Sequence, residues 1–201
     1  WRLKFRAEYA HFPLPYYGVG SETPDAAEEW YTSTGPLLLA LAQRRVARAT
    51  FAGVVARMTR TTVSEIEPGG ELATGNVLGT DGGTVSQVQG FIARDSRDHV
   101  VAARQGSFIL LAAASANGAW GSDYDFSRYS VDGRKYWTFG SAHVLAAQFL
   151  FEATSGSVPF DQRVQIGSDT AMRGYTRGRY RDSDGVGAQV EYRSPFFKRL
   201  G

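Results

Sequence analysis

From Trp1 to Tyr9 the chain alternates without a fault: Trp1, Leu3, Phe5, Ala7 and Tyr9 are apolar or aromatic, while Arg2, Lys4, Arg6 and Glu8 are charged. Successive side chains of a β-strand point to opposite faces, so this segment has one apolar face and one polar face. A helix would scatter the same residues around its axis. The pattern returns near the other end, where Val186, Ala188, Val190 and Tyr192 share one face and Gly187, Gln189, Glu191 and Arg193 the other. Six further strand-length segments lie between them, at about 30–43, 47–62, 84–94, 107–117, 126–138 and 142–154, separated by joints rich in Gly, Asp, Asn and Pro. Residues 107–116 are apolar on both faces, but the absence of helix caps and the neighbouring strands favour a strand there too. No internal repeat, low-complexity tract or Pro/Ser-rich linker divides the 201 residues, which predicts a single all-β domain.

The joints differ in length in a regular way. Long ones are expected at 12–29, 66–83 and 155–184, and short ones near 43–48, 95–106 and 139–141. The joint at 118–123 is short where the series calls for a long one. Alternation of faces also suits a soluble antiparallel sheet with one wet face. Strands of ten or more residues and loops that are long at one end only favour the wall of an up-and-down, antiparallel transmembrane β-barrel.

Composition is compatible with that expectation and excludes several others. The 22 basic and 20 acidic residues nearly cancel, which leaves no electrostatic footprint for nucleic acid. No run of eighteen apolar residues exists, so a membrane-spanning helix is excluded while barrel strands are not. The chain has no cysteine, hence no disulfide scaffold and no thiol chemistry. It carries no signal peptide and opens inside a strand, so its start is expected to be trimmed.

The stretch from Arg163 to Phe197 reads RVQIGSDTAMRGYTRGRYRDSDGVGAQVEYRSPFF. It resembles the outer-membrane insertase and translocase superfamily, the barrels of the BamA and TamA type and of two-partner secretion, also known as the bacterial surface antigen barrel. The family's loop tetrad is matched by Met172, Arg173, Gly174 and Tyr175 after the loop-turn residue Gly167. Its next-strand pattern and Pro-aromatic turn are matched by Gly187, Glu191 and Tyr192, then Pro195, Phe196 and Phe197. Residues 17–23 (YGVGSET) look like an earlier-loop element of these barrels. Asp95, Arg97, Asp98 and Gly106 look like their periplasmic turn, with Ala103 or Arg104 where a proline is usual.

The resemblance implies a bacterial outer-membrane location, contact with outer-membrane lipid, and client outer-membrane or secreted proteins with accessory subunits. It also implies that the Arg173 loop folds into the lumen and that Arg173 meets Glu191 on the inner wall. Eight strands are about half of the sixteen in the family's full barrel. The family's second lumen acid, on a later strand, is missing, so residues 1–201 are expected to be part of one barrel truncated at both ends. A barrel of this type also serves as a passive anchor for a patatin-like phospholipase or another passenger, which stands as the alternative function. A soluble β-sheet binding protein is the third reading.

Enzyme chemistry finds no footing. His11, His99 and His143 are far apart and in no ligand spacing, no G-x-S-x-G elbow occurs, and Gly69-Gly70 and Gly82-Gly83 lack the Lys-Ser/Thr of a phosphate loop. The stretch Asp182-Ser183-Asp184-Gly185 partly mimics a calcium loop but has Tyr180 in the first ligand position, which predicts a solvated loop tip. No metal, cofactor or catalytic residue is expected.

Overall fold

The computed structural model describes residues 1–140, 143–167, 174–176 and 178–194. In chain order the strands are β1 (Arg2–Tyr16), β2 (Glu29–Ala47), β3 (Thr50–Ser64), β4 (Gly83–Asp95), β5 (Gly106–Ala116), β6 (Phe126–Phe139), β7 (His143–Gly156), β8 (Val164–Ile166), β9 (Tyr180–Asp182) and β10 (Asp184–Arg193). Among the described residues, the long strands form one antiparallel sheet in the order β1-β2-β3-β4-β5-β6-β7-β10, and β8 pairs with β9 in a small second sheet. Each long strand pairs with its sequence neighbour, which is the up-and-down meander expected. The sheet is open: β1 and β10 each have one partner.

Register fixes the faces. One row runs Ala7–Leu38–Met58–Ser86 and the next Phe5–Ala40–Ala56–Val88, so the apolar side chains of β1 continue across the sheet. At the far edge Val186, Ala188 and Val190 stand opposite Phe151, Phe149 and Ala147 on the same face. Aromatics mark both ends of this face. Tyr129 and Trp137 on β6 are eight residues apart, about 27 Å along a strand and about 21 Å across a membrane at a typical tilt, near the height of an outer-membrane apolar band. Near the short-turn end Phe139, His143 and Tyr192 stack, with ring centroids 5.7 to 6.1 Å apart.

The opposite face is polar and largely self-paired. Arg134 holds Asp132 at 2.6 Å, Gln148 donates to Asp132, Arg128 meets Glu152 at 3.0 Å, and Arg193 donates to Glu191 at 2.7 Å. Leu37, Leu39 and Leu41 interrupt it on β2, opposite Glu8, Arg6 and Lys4. The apolar stems of such long charged side chains can cover leucines while their heads stay wet.

Two boundaries differ from expectation. The first strand runs on to Tyr16, through Pro13 and Pro15, where a loop was expected from residue 12. The two prolines are two residues apart, so their missing N–H groups fall on one side of the strand. Pro36 has the same relation to β1 through Tyr9, and its own gap lies toward β3: the β2–β3 register skips from Thr34↔Thr62 to Leu37↔Thr59. Pro13 and Pro15 therefore leave the β1–β2 ladder intact and spoil only the outer edge. The second difference is at 182–185, where Ser183 and Asp184 are exposed as expected but form the join between β9 and β10 rather than a loop tip. There the Ser183 carbonyl accepts from the backbone N–H and hydroxyl of Thr154.

Candidate functional site

The described parts of the long connection after β7 lie over the polar face at the long-loop end. Its first part is a 3-10 turn, Phe160–Gln162, which seats Phe160 between Tyr16 of β1 and Tyr31 of β2. The rings meet edge to face at 5.5 and 5.1 Å, and Leu72 from the β3–β4 loop completes a fully buried cluster. Edge-to-face contacts of this kind add to the area that aromatic rings bury. The cluster ties three loops together above the sheet.

Arg181 on β9 enters this cluster and is 3% exposed. Its guanidinium lies 5.5 Å from the Tyr16 ring, 5.8 Å from Phe160 and 6.0 Å from Tyr31. Its N–H groups donate to the carbonyls of Pro15 (3.1 Å), Phe160 (3.4 Å) and Gly178 (3.4 Å). A guanidinium suits this cage because it is weakly hydrated, planar and offers several donors at fixed angles. Its backbone carbonyl also accepts from Gly20 N–H at 2.7 Å, which bridges β9 to the first loop.

Arg179, two residues earlier, makes a second clip to the same loop. It lies between the rings of Tyr17 and Tyr180, 4.8 and 4.6 Å from their centres. It also donates to Thr23 Oγ1, to the Thr23 carbonyl and to Asp25, with the ion pair at 2.7 Å. The stretch 17–23 that sequence motifs singled out is thus the receiving half of a loop-to-loop clasp.

Negative charge surrounds the cage at one remove. Tyr16 donates its hydroxyl to Glu71, and the buried Glu29 carboxylate accepts from Leu72 N–H at 3.2 Å. Asp161, beside Phe160, accepts from Gln162 and, weakly, from Thr61 of the wall. Burial pushes the Asp161 carboxyl above the ordinary range, against the opposing pull of those hydrogen bonds and the Arg181 charge.

The sequence-predicted residues divide into three groups. Asp95, Arg97, Asp98 and Gly106 come together in the turn between β4 and β5. Arg97 grips Asp95 through two 2.8 Å hydrogen bonds and lies 4.8 Å over the Phe108 ring. Asp98 accepts from the N–H groups of His99, Arg104 and Gln105, and those amides, Arg104 foremost, hold its carboxyl below the usual range. Gly106 closes the turn at φ 99°, where a Cβ would stand 2.3 Å from the Ser96 carbonyl oxygen.

Gly167 and Glu191 form the second group, with Gly174 and Tyr175. Gly167 turns at φ 106° with no room for a Cβ beside the Thr176 carbonyl, and Tyr175 lies half-exposed with its ring 5.6 Å from Tyr180. Glu191 is on the polar face and pairs with Arg193, whose guanidinium also reaches the Ala103 carbonyl near the β4–β5 turn. Met172 and Arg173, and with them the proposed meeting of Arg173 with Glu191, lie outside the described residues, as do Pro195, Phe196 and Phe197.

A family model described as the Omp85 superfamily domain matches residues 27–200. The chain belongs to the Omp85 superfamily. No curated protein matches it. Members of the Omp85 superfamily are outer-membrane β-barrel proteins, and the eight-stranded meander fits part of such a wall, in which an apolar face meets lipid and a polar face the lumen. Sequence reasoning missed Arg179 and Arg181, which carry the clasp in this Omp85 chain. The alternation Arg179-Tyr180-Arg181, cation–aromatic–cation at strand spacing, is the one local signal that marks them.

Proposed function

We propose that this chain is wall and lumen lock of a Gram-negative outer-membrane barrel that assembles or translocates proteins. The long-loop end faces the cell exterior, and the β4–β5 turn faces the periplasm. The observation that carries the reading is the clasp: the described parts of the connection after β7 lie over the lumen face and are held there by Arg181 in its aromatic cage and Arg179 between two tyrosines. A passive anchor has no need of a lumen cover with several buried cation contacts, whereas a barrel that passes or inserts chains must stay sealed between clients.

The test is made on the full-length barrel in liposomes. Arg179→Ala removes the clip to the first loop and leaves the Arg181 cage. It is expected to raise ion conductance several-fold and to alter the rate of client assembly or transport. Unchanged conductance together with no client activity in the unaltered protein would leave the anchor reading standing.

The proposal includes a deeper lock, Arg173 against Glu191 on the lumen wall. A carboxylate on the polar face offers a guanidinium two parallel acceptors, and Glu191 already shares that face with Gln148 and Gln189. A double-mutant cycle on Arg173 and Glu191, read as unfolding in detergent, is expected to give a coupling of about 1–3 kcal/mol. Additive effects of the two substitutions would remove this lock and leave the clasp untouched.

A further inference from the structure

The lipid-side face carries a hollow of about 630 Å³ towards the long-loop end. Phe5, Leu38, Met58 and Trp120 surround it, standing taller than the short Ala40 and Ala56 between them. A barrel wall with side chains of even height would present a smooth surface to lipid tails. Trp120 ends the 3-10 turn Gly118–Trp120 in the β5–β6 loop, is half-exposed, and leans over the hollow beside β4.

Arg6 and Arg57 also border the hollow, but by strand parity they belong to the opposite, polar face, so charge on the lipid side beside it is confined to one residue. Arg60 lies on the same face of β3 as Met58, two residues nearer the loop end, and is paired in register with Thr84. That places it about 7 Å beyond the hollow. Arg60 is exposed and, among the described residues, makes no ion pair. Other charges on the lipid face of β2 to β6 lie at the opposite end, at Arg44, Arg94 and Lys135. A cation at the rim of an uncharged apolar groove, with an interfacial tryptophan overhead, is complementary to one amphiphile: an acyl chain below and an anionic phosphate above.

We infer that the hollow seats an acyl chain of a lipid with an anionic phosphate headgroup, in the leaflet at the long-loop end, and that Arg60 binds the phosphate. The inference rests on the reading of the sheet as a membrane wall. Attraction of one basic side chain for an anionic lipid surface corresponds to about a fivefold preference. Thr62 and Thr84, flanking Arg60 along the strand and across the ladder, add hydroxyl donors within the same patch.

The experiment uses Trp120 as its own probe. With Trp1→Phe, Trp30→Phe and Trp137→Phe, and with any tryptophan of the full-length barrel outside residues 1–201 also replaced by Phe, Trp120 reports the hollow. The full-length barrel is reconstituted in phosphatidylcholine bilayers containing equal small fractions of brominated phosphatidic acid or of a brominated, phosphate-free glycolipid. Trp120 fluorescence is expected to be quenched about fivefold more effectively by the phosphatidic acid. Arg60→Gln is expected to make the two probes equal, and Arg60→Lys to keep most of the preference. Folding of each variant is checked by its heat-modifiable migration. Equal quenching by both probes in the Arg60 protein overturns the site while leaving the membrane wall intact. No quenching by either overturns both.

Discussion

A buried guanidinium is costly to desolvate, and among the described residues Arg181 meets that cost without a carboxylate in contact. Three backbone carbonyls take its donors and three ring faces take its charge. Asp161 supplies compensating charge nearby, and its own position makes the clasp sensitive to pH. Its carboxyl titrates above the ordinary Asp range in the folded protein because burial disfavours the anion. A raised folded pKa means that its contribution to stability is complete below the unfolded value, about 4, and is lost as pH rises through the raised value. Asp98 has the reverse sign: backbone amides depress its pKa, so its contribution is present above about 4 and fades as pH falls through the depressed value. Lowering pH from 7 toward 4 is therefore expected to tighten the cover around Phe160 while it begins to loosen the turn at 96–105. Hydrogen exchange, corrected for intrinsic rates, checks both at once, and Asp161→Asn should abolish the first trend. Parallel changes in the two regions would refute the assignment.

The strand is the element that carries the sheet, and its parity makes a sharp mutational contrast. Phe5 and Arg6 are neighbours on β1 that point to opposite faces. Phe5→Arg puts a charge on the lipid face near mid-membrane and is expected to cost about 2–4 kcal/mol, whereas Arg6→Ala on the wet face should cost under about 1 kcal/mol. Folding titrations from denaturant into bilayers measure both, and similar costs would reverse the faces. This parity was legible in the sequence because it repeats over many residues in every long strand, which is why eight strands could be placed within a few residues of their ends. What was not legible lacked that repetition. Strands β8 and β9 are three residues each, too short to show any period. The extension of β1 past residue 12 was hidden by two prolines whose harm depends on which side of the strand faces a partner. The cage of Arg181 joins residues 16, 31, 160 and 181, and its acceptors are backbone carbonyls that no side-chain pattern announces. By contrast the β4–β5 turn could be read, since Asp95, Arg97 and Asp98 act on one another within a few residues.

At the scale of the whole molecule, the sheet is a wall with two obligations, an apolar outer face to cover and polar backbone edges to pair. The chain exposes 12369 Å², against about 9,300 Å² for a compact water-soluble monomer of 22 kDa. The excess is of the order of 3,000 Å². Much of what is exposed is large and apolar, including Phe5, Leu38, Val54, Ile92, Leu111, Phe149 and Val190, each 47% exposed or more and drawn from strands across the sheet. Patches of a few hundred Å² already mark an interaction surface on a soluble protein, so a surface of this extent needs an apolar solvent. Among the described residues, β1 and β10 each leave one edge without a strand partner, and edge backbone groups in hydrocarbon require pairing. The protein is therefore expected to fold and stay monodisperse only with detergent or bilayer present, and to associate when detergent is diluted below its micelle concentration. Size-exclusion chromatography with light scattering, run with and without detergent, is the measurement. A β-rich, monodisperse monomer in plain buffer would mean that the apolar rows from Phe5 to Val190 are covered by protein rather than lipid, and the membrane wall would have to be given up.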